Sequence, residues 1–109
     1  MSSEKTYDDM DKISVELAEA TANRVYLAEF RKSKKAILMK EAEAKSPGIS
    51  AAAQEREAYA SPEYVELLEG LKSATEIEVY TRHKLKILEM RFEAWRSKQA
   101  TARTEMGLR

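Results

Sequence analysis

The 109-residue chain is long enough for one domain but too short for two domains with separate hydrophobic cores. Charged residues make up 35% of it and only 3 glycines and 2 prolines interrupt it, which favours long helices over strands joined by frequent turns. The 19 positive and 19 negative side chains cancel, so the chain as a whole does not attract nucleic acid or an anionic membrane, and the absence of cysteine excludes disulfides, thiolate zinc sites and a cysteine nucleophile.

The N-terminal stretch MSSEKTYDDMDK lacks the basic and apolar regions of a signal peptide, and the apolar runs of the chain are only a few residues long. We therefore expect a soluble, cytoplasmic protein with no membrane contact. A first helix is predicted over residues 8–45. Its apolar stripe drifts around the helix, which argues against one straight supercoil. The stripe consists of Met10, Ile13, Leu17, Ala20 and Leu27, followed by Tyr26, Phe30 and Ile37.

The connection is predicted over residues 46–61. Pro47 disfavours the helical conformation at Ser46, and Gly48 adopts a positive φ at little cost, so the first helix should end near Lys45. The segment SAAAQEREAYA is rich in helix formers, and a brief helix is expected within the connection.

A second long helix is predicted over residues 62–106. Ser61 is a good N-cap, Pro62 suits the first helical turn, and Glu63 places a negative charge at the positive end of the helix dipole. Its apolar seam alternates by three and four residues, as in a coiled coil. The seam reads Leu71, Ala74, Glu78, Thr81, Leu85, Leu88, Phe92, Trp95, Gln99, Ala102 and Met106, and its core is assigned to Leu71, Leu85, Leu88, Phe92 and Trp95.

Charge alternates in blocks along the chain. The net charge is −4 over residues 1–20, +5 over 24–40, −5 over 41–70 and +3 over 91–109. Helices that fold back antiparallel bring opposite blocks together at both ends, which selects direction and register more than it adds stability. The predicted fold is therefore a single all-α domain over residues 1–109, an antiparallel helical hairpin of two long, coiled-coil-like helices. Because two helices leave apolar surface wet, we expect a homo-oligomer, most simply a dimeric bundle.

No residue set indicates catalysis, a metal or a cofactor. His83 is the only histidine, and the positions three and four residues away are Val79, Tyr80, Lys86 and Ile87, none of which is a good metal ligand. The glutamates lack the Glu-x-x-His pattern of di-iron bundles, and no glycine-rich phosphate loop is present. We therefore expect a protein that is not an enzyme.

Two basic clusters are candidate contact surfaces for nucleic acid or for a partner protein. The first consists of Lys32, Lys34 and Lys35, and the second of Arg91, Trp95, Arg96, Lys98 and Arg103. Basic side chains beside an aromatic ring can contact phosphates and stack on an unpaired base. The competing interpretation, which the helical spacing favours, is that Phe92 and Trp95 belong to the seam and that the charges pair with acidic neighbours.

The closing segment LKILEMRFEAWRSKQATARTEMGLR resembles the C-terminal pattern of small helical proteins encoded by tailed bacteriophages. The resemblance rests on three elements: Ala94–Ser97, Ala100–Thr101 and Arg103–Met106. It covers about the last quarter of the chain. It implies a gene near phage replication and recombination genes, a location in the host cytoplasm and an accessory role in DNA metabolism, and it assigns no site residue.

Two functions are therefore expected from the sequence. The first is a self-associating helical interaction protein that serves phage DNA recombination or replication through weak nucleic-acid contact. The alternative is a coiled-coil adaptor, assembly factor or inhibitor that binds another phage or host protein without touching nucleic acid.

Overall fold

The computed structural model describes residues 3–107, and every element within this range is helical. Helix α1 spans Ser3–Lys45, α2 spans Ala51–Ala60 and α3 spans Pro62–Gly107. The prediction of an all-α chain is confirmed. Helix α1 begins five residues before the predicted start at residue 8, and α3 begins at the predicted Pro62. The brief helix α2 lies within the connection.

The connection between α1 and α2 is a tight turn that glycine permits. Gly48 has a φ of +88°, in the left-handed region that a residue without a Cβ adopts cheaply. Helix α2 then begins at the N-cap Ser50, whose Oγ accepts a hydrogen bond of 3.1 Å from the Ala53 amide. The turn therefore ends α1 and starts α2 within five residues.

Ser61 separates α2 from α3. Its backbone is extended, with φ −64° and ψ 134°, and its Oγ accepts a 3.3 Å hydrogen bond from the Glu63 amide. Pro62 occupies the first position of α3, where its missing N–H costs no intrahelical bond. One extended residue is thus enough to redirect the chain from α2 into α3.

Helices α1 and α3 lie side by side and run in opposite directions. Tyr7 contacts Phe92 near one end, Arg24 contacts Glu78 in the middle and Lys34 contacts Glu63 near the other end. The molecule measures 88 × 19 × 16 Å. This elongated shape fits a helical hairpin, with α2 packed at the connection end beside Lys35 of α1.

The contact between the long helices buries one narrow stripe on each. The buried residues of this stripe are Thr6, Ile13, Ala20 and Leu38 on α1, and Tyr64, Ala74, Glu78, Thr81 and Phe92 on α3. Leu71, Leu85, Leu88 and Trp95 are half-buried along the same line. At the connection end, Ala58 of α2 is fully buried between Leu38 and Tyr64.

The predicted seam ends earlier than the sequence indicated. Gln99, Ala102 and Met106 continue its spacing but are exposed, and Met106 is 71% exposed. Tyr7 already packs on Phe92, and α1 begins only one turn before Tyr7. Within residues 3–107, only the first turn of α1 borders the last turns of α3, where Ser3 and Tyr7 line a shallow pocket with Gln99 and Arg103.

Candidate interaction surfaces

Three aromatic rings join the two helices near the beginning of α1. Phe92 is buried and packs edge-on against Tyr7, with ring centroids 5.0 Å apart and an interplanar angle of 62°. Trp95 stacks on Phe92 at 5.8 Å and 27°. One face of the indole is therefore occupied by the seam, and Trp95 is half-buried.

The basic side chains around Trp95 face solvent. Arg96 bonds only to Glu93 of its own helix, at 3.1 Å, and Lys98 and Arg103 are exposed. Within residues 3–107, no ion pair joins this cluster or Arg91 to the acidic residues at the beginning of α1. The acidic beginning of α1 and the basic end of α3 were expected to come together. In the described residues they form no ion pair with each other, so the cations remain accessible.

Two of the three lysines in the other basic cluster are paired with glutamates of neighbouring helices. Lys34 donates to Glu63 of α3 at 2.5 Å, and Lys35 donates to Glu55 of α2 at 2.8 Å. The Lys35 ammonium also lies 4.9 Å from the centre of the Tyr59 ring. These hydrogen bonds raise the pKa of both lysines and lower the pKa of both glutamates. Lys32, by contrast, is exposed and bonds to Glu29 at 3.3 Å.

A charged residue occupies the middle of the seam. Glu78, whose side chain is 5% exposed, accepts one bifurcated hydrogen bond from the Nε–H of Arg24, with both carboxylate oxygens 2.9 Å from Nε, and Arg82 approaches it at 3.6 Å. The hydrogen bond from Arg24 lowers the pKa of the Glu78 carboxyl, and a weaker contribution comes from Thr21. The sequence identified Glu78 as an interruption of the seam but missed Arg24 as its partner. The signal that was missed is a positively charged residue on the side of α1 that faces α3, level with Glu78 along the long axis of the molecule.

His83 lies on the surface of α3 and lines a groove of about 610 Å³ between α1 and α3. Across the described part of the chain, no cluster of three or more His, Asp or Glu side chains could hold a metal ion. The same groove is bordered by Lys12 and Glu16 from α1 and by Tyr80 and Ile87 from α3. The groove therefore runs along one side of the contact between α1 and α3.

An uncovered stripe of apolar residues follows this side of α1. Tyr26, Phe30 and Ile37 are 63%, 36% and 47% exposed, and the first two rings stack at 5.9 Å with an interplanar angle of 6°. They continue the line of Lys12 and Glu16 at alternating spacings of three and four residues. Helix α2 covers a different side of α1, where it meets Lys35 and Met39.

A matching stripe follows α3. Ile77, Tyr80 and Ile87 are 56%, 68% and 50% exposed; Tyr80 follows Ile77 by three residues, and Ile87 follows Tyr80 by seven, or two helical turns. Because both stripes extend from residues that line this groove, they lie on the same side of the molecule, and we call their exposed apolar members the apolar face. The apolar face consists of Tyr26, Phe30, Ile37, Ile77, Tyr80 and Ile87.

No protein-family model matches the chain, and no curated protein or solved structure is significantly similar to it. Over residues 3–107, none of the helices has a stretch of sufficient length and hydropathy to cross a membrane.

Proposed function

We propose that this chain is a non-enzymatic interaction protein, a hairpin of two long helices that self-associates, most simply into a dimeric bundle. The observation that carries the proposal is the apolar face. Within residues 3–107, seven apolar side chains are buried, whereas fifteen large apolar side chains are exposed. Scattered exposed apolar residues are ordinary on a protein surface, but large exposed apolar side chains that follow the same side of two neighbouring helices mark an interaction site.

The arrangement of the helices explains why one copy is incomplete. Two helices side by side bury a single stripe each, and a second stripe on either helix has nothing to pack against. A four-helix arrangement supplies the missing neighbours, because each helix then meets two others. Self-association thus removes from water the surface that one hairpin leaves exposed.

Sedimentation equilibrium over about 1–100 µM protein tests the proposal. The expected result is a mass that rises with concentration toward twice the 12.4 kDa of one chain. A mass of 12.4 kDa throughout this range would contradict self-association. It would favour the adaptor alternative, in which the apolar face binds a helix of another phage or host protein.

A second candidate function is weak contact with DNA as an accessory factor in phage recombination or replication, in the host cytoplasm. It is supported by the exposure of Arg91, Arg96, Lys98 and Arg103 beside Trp95, unpaired with the acidic residues of α1. These cations would contact phosphates, and the outer face of the indole would stack on an unpaired base.

Fluorescence anisotropy with single- and double-stranded DNA at two salt concentrations tests this second function. We expect binding that weakens as salt rises, and a loss of affinity in the variant Arg96→Glu/Lys98→Glu. The matched control is Lys72→Glu/Lys86→Glu, which reverses two exposed charges elsewhere on α3. Equal affinity in both variants, or no salt-sensitive binding at micromolar protein, would reject DNA contact by this cluster.

A further inference from the structure

We infer that the apolar face is covered by a second copy of this chain, with α1 of each copy lying antiparallel on α3 of the other and both connections at the same end. The inference rests on the proposed self-association and specifies its surface and its direction. Three features of the face support it: its size, its charge order and its shape.

The size of the face suits a dimer. Between Glu66 and Arg91, α3 runs for about 38 Å at 1.5 Å per residue, and the molecule is 19 Å wide. The product, about 700 Å², is close to the ~800 Å² that each partner contributes to a stable protein interface. The face is therefore large enough to hold a second hairpin and need not be a site for a short peptide.

Charge follows the same order along both stripes. On α1, three acids and one cation precede the apolar residues, namely Asp9, Lys12, Glu16 and Glu19, and Lys40 follows them. On α3, Glu63 and Glu66 come first, and Lys84 and Arg91 lie toward the other end. Parallel contact between copies would place like charges together, whereas antiparallel contact places opposite charges together.

The contacts between α1 and α3 of one copy show which residues of the two helices lie at the same position along the long axis. Arg24 faces Glu78 and Tyr7 faces Phe92, so Asp9 and Glu16 lie level with Lys84 and Arg91. When α1 of one copy rests on α3 of the other with the connections together, these acids meet the partner copy's cations. Lys40 likewise lies at the end where Glu63 and Glu66 lie.

The shape of the face agrees with this arrangement. Tyr26 and Phe30 lie between Arg24 and Lys34, so they are level with the stretch of α3 between Glu63 and Glu78. That stretch presents Gly70 and Ser73 on the stripe, and no atom lies within 4 Å of a Cβ built on Gly70. Glycine is unfavourable inside a helix, and here it leaves open space into which the stacked rings of a second copy fit.

The opposite arrangement, with the connections at opposite ends, is disfavoured by the same residues. It would lay α1 on α1 of the second copy and bring Glu16 and Glu19 toward the Tyr26 and Phe30 rings. Burying a carboxylate against aromatic rings without a cation costs free energy. In the aligned arrangement Glu16 lies level with Lys84 of the second copy, so a cation is present beside the carboxylate.

One distance between copies tests the arrangement. The chain has no cysteine, so Ser46→Cys places a single spin label in the exposed turn after α1. Because packed helices are ~10 Å apart, the labels of the two copies should be within ~40 Å of each other, measured by double electron–electron resonance. Connections at opposite ends would separate the labels by a distance approaching the 88 Å length of the molecule. Any distance above ~40 Å overturns the aligned arrangement.

A pair of matched variants tests the surface. Ile77→Lys/Ile87→Lys places two charges on the apolar face, and Val79→Lys/Met90→Lys places two charges on similarly exposed positions of α3 outside it. We expect the face variant to raise the dimer dissociation constant at least ~100-fold and the control to change it less than ~10-fold, with helicity retained in both. Equal effects would overturn the assignment of the face.

The outcomes separate this inference from the proposed function. A wild-type chain that stays at 12.4 kDa would reject both self-association and the second copy as the occupant of the face. A dimer whose dissociation is unaffected by the face variant, or whose labels are far apart, would reject only the surface or the direction inferred here.

Discussion

Within residues 3–107, Arg24 and Glu78 form the only ion pair between the middle of α1 and the middle of α3, with Nε of Arg24 2.9 Å from both carboxylate oxygens of Glu78. Glu78 is shielded from water, and the buried Thr81 lies three residues further along α3. A carboxylate at this position is satisfied only when Arg24 is at the same height. Sliding α1 by one turn along α3 would remove the 2.9 Å contact with Arg24 and leave Glu78 only the longer 3.6 Å approach of Arg82, so the pair favours one register.

Replacing Arg24 and Glu78 together should cost less stability than replacing either residue alone. We expect Glu78→Leu and Arg24→Leu each to lower the midpoint of thermal unfolding, because each leaves one charge of the pair without its partner. The double variant Arg24→Leu/Glu78→Leu should recover the wild-type midpoint or exceed it, because leucine suits an apolar seam. Circular dichroism at 222 nm measures all four proteins. Additive losses in the double variant would argue against the pair.

Acid should destabilise the chain through its paired carboxylates. Cationic partners lower the pKa of Glu55, Glu63 and Glu78 below the ordinary 4.5. Each carboxylate therefore stabilises the fold above pH 4.5, and its contribution disappears as the pH falls through the folded-state pKa. Thermal unfolding at fixed protein concentration should show a midpoint that declines between pH 5 and pH 2.

The variant Glu78→Gln isolates one part of that acid response. It should lower the midpoint at pH 7 and decline less steeply toward pH 2, because the titrating group has been removed. Glu76→Gln is the matched control, since Glu76 is exposed and forms no ion pair within residues 3–107. A control with the same flattened response would show that the decline has another origin.

Phe92 should contribute strongly to the end of the hairpin. It is 6% exposed and contacts Tyr7 and Trp95. Phe92→Ala should cost ~3 kcal/mol of unfolding free energy because it deletes a buried ring and leaves a cavity. Urea denaturation followed by the fluorescence of Trp95, the single tryptophan, measures the loss. Met90→Ala, at a position 63% exposed, should change stability by less than ~0.5 kcal/mol.

Helix α2 should depend on the small size of Ala58. This residue is 0% exposed between Leu38 and Tyr64, so Ala58→Leu should overpack the contact at a cost of ~1–3 kcal/mol. Ala60→Leu, two residues away and exposed, should be close to neutral. Amide hydrogen exchange should show faster exchange in α2 for the first variant and little change for the second. Protection of α2 unaltered by Ala58→Leu would be inconsistent with the packing described.

Much of the fold could be predicted because it depends on local chemistry. Pro47, Gly48, Ser61 and Pro62 act through their own backbone preferences, which a sequence displays directly. The spacing of apolar residues also indicates helix without knowledge of the partner. These features explain why the helical class and the position of the turns were accessible from sequence.

The interaction surfaces depend on register, which the sequence alone leaves open. The pairing of Lys34 with Glu63 and of Lys35 with Glu55 required three helices at fixed heights, so a cluster that looked free proved to be engaged. The same limitation hid Arg24 and allowed the predicted seam to run on to Met106. The drifting apolar positions of α1, Tyr26, Phe30 and Ile37, did signal a second surface, but the sequence did not show that exposed apolar residues of α3 lie on the same side of the molecule.

In the part of the chain that the structure describes, the final turns of α3 have few neighbours, and this has a consequence for handling the protein. Helical turns with little tertiary support are marginal in water, so this segment should open and close locally while the contact between α1 and α3 stays intact. Trypsin should therefore cut first after Lys98 and Arg103 and leave a resistant fragment that retains the aromatic contact of Tyr7 with Phe92. Protection of these sites upon addition of DNA or of a protein would identify what the end of α3 binds, with no substitution in the chain.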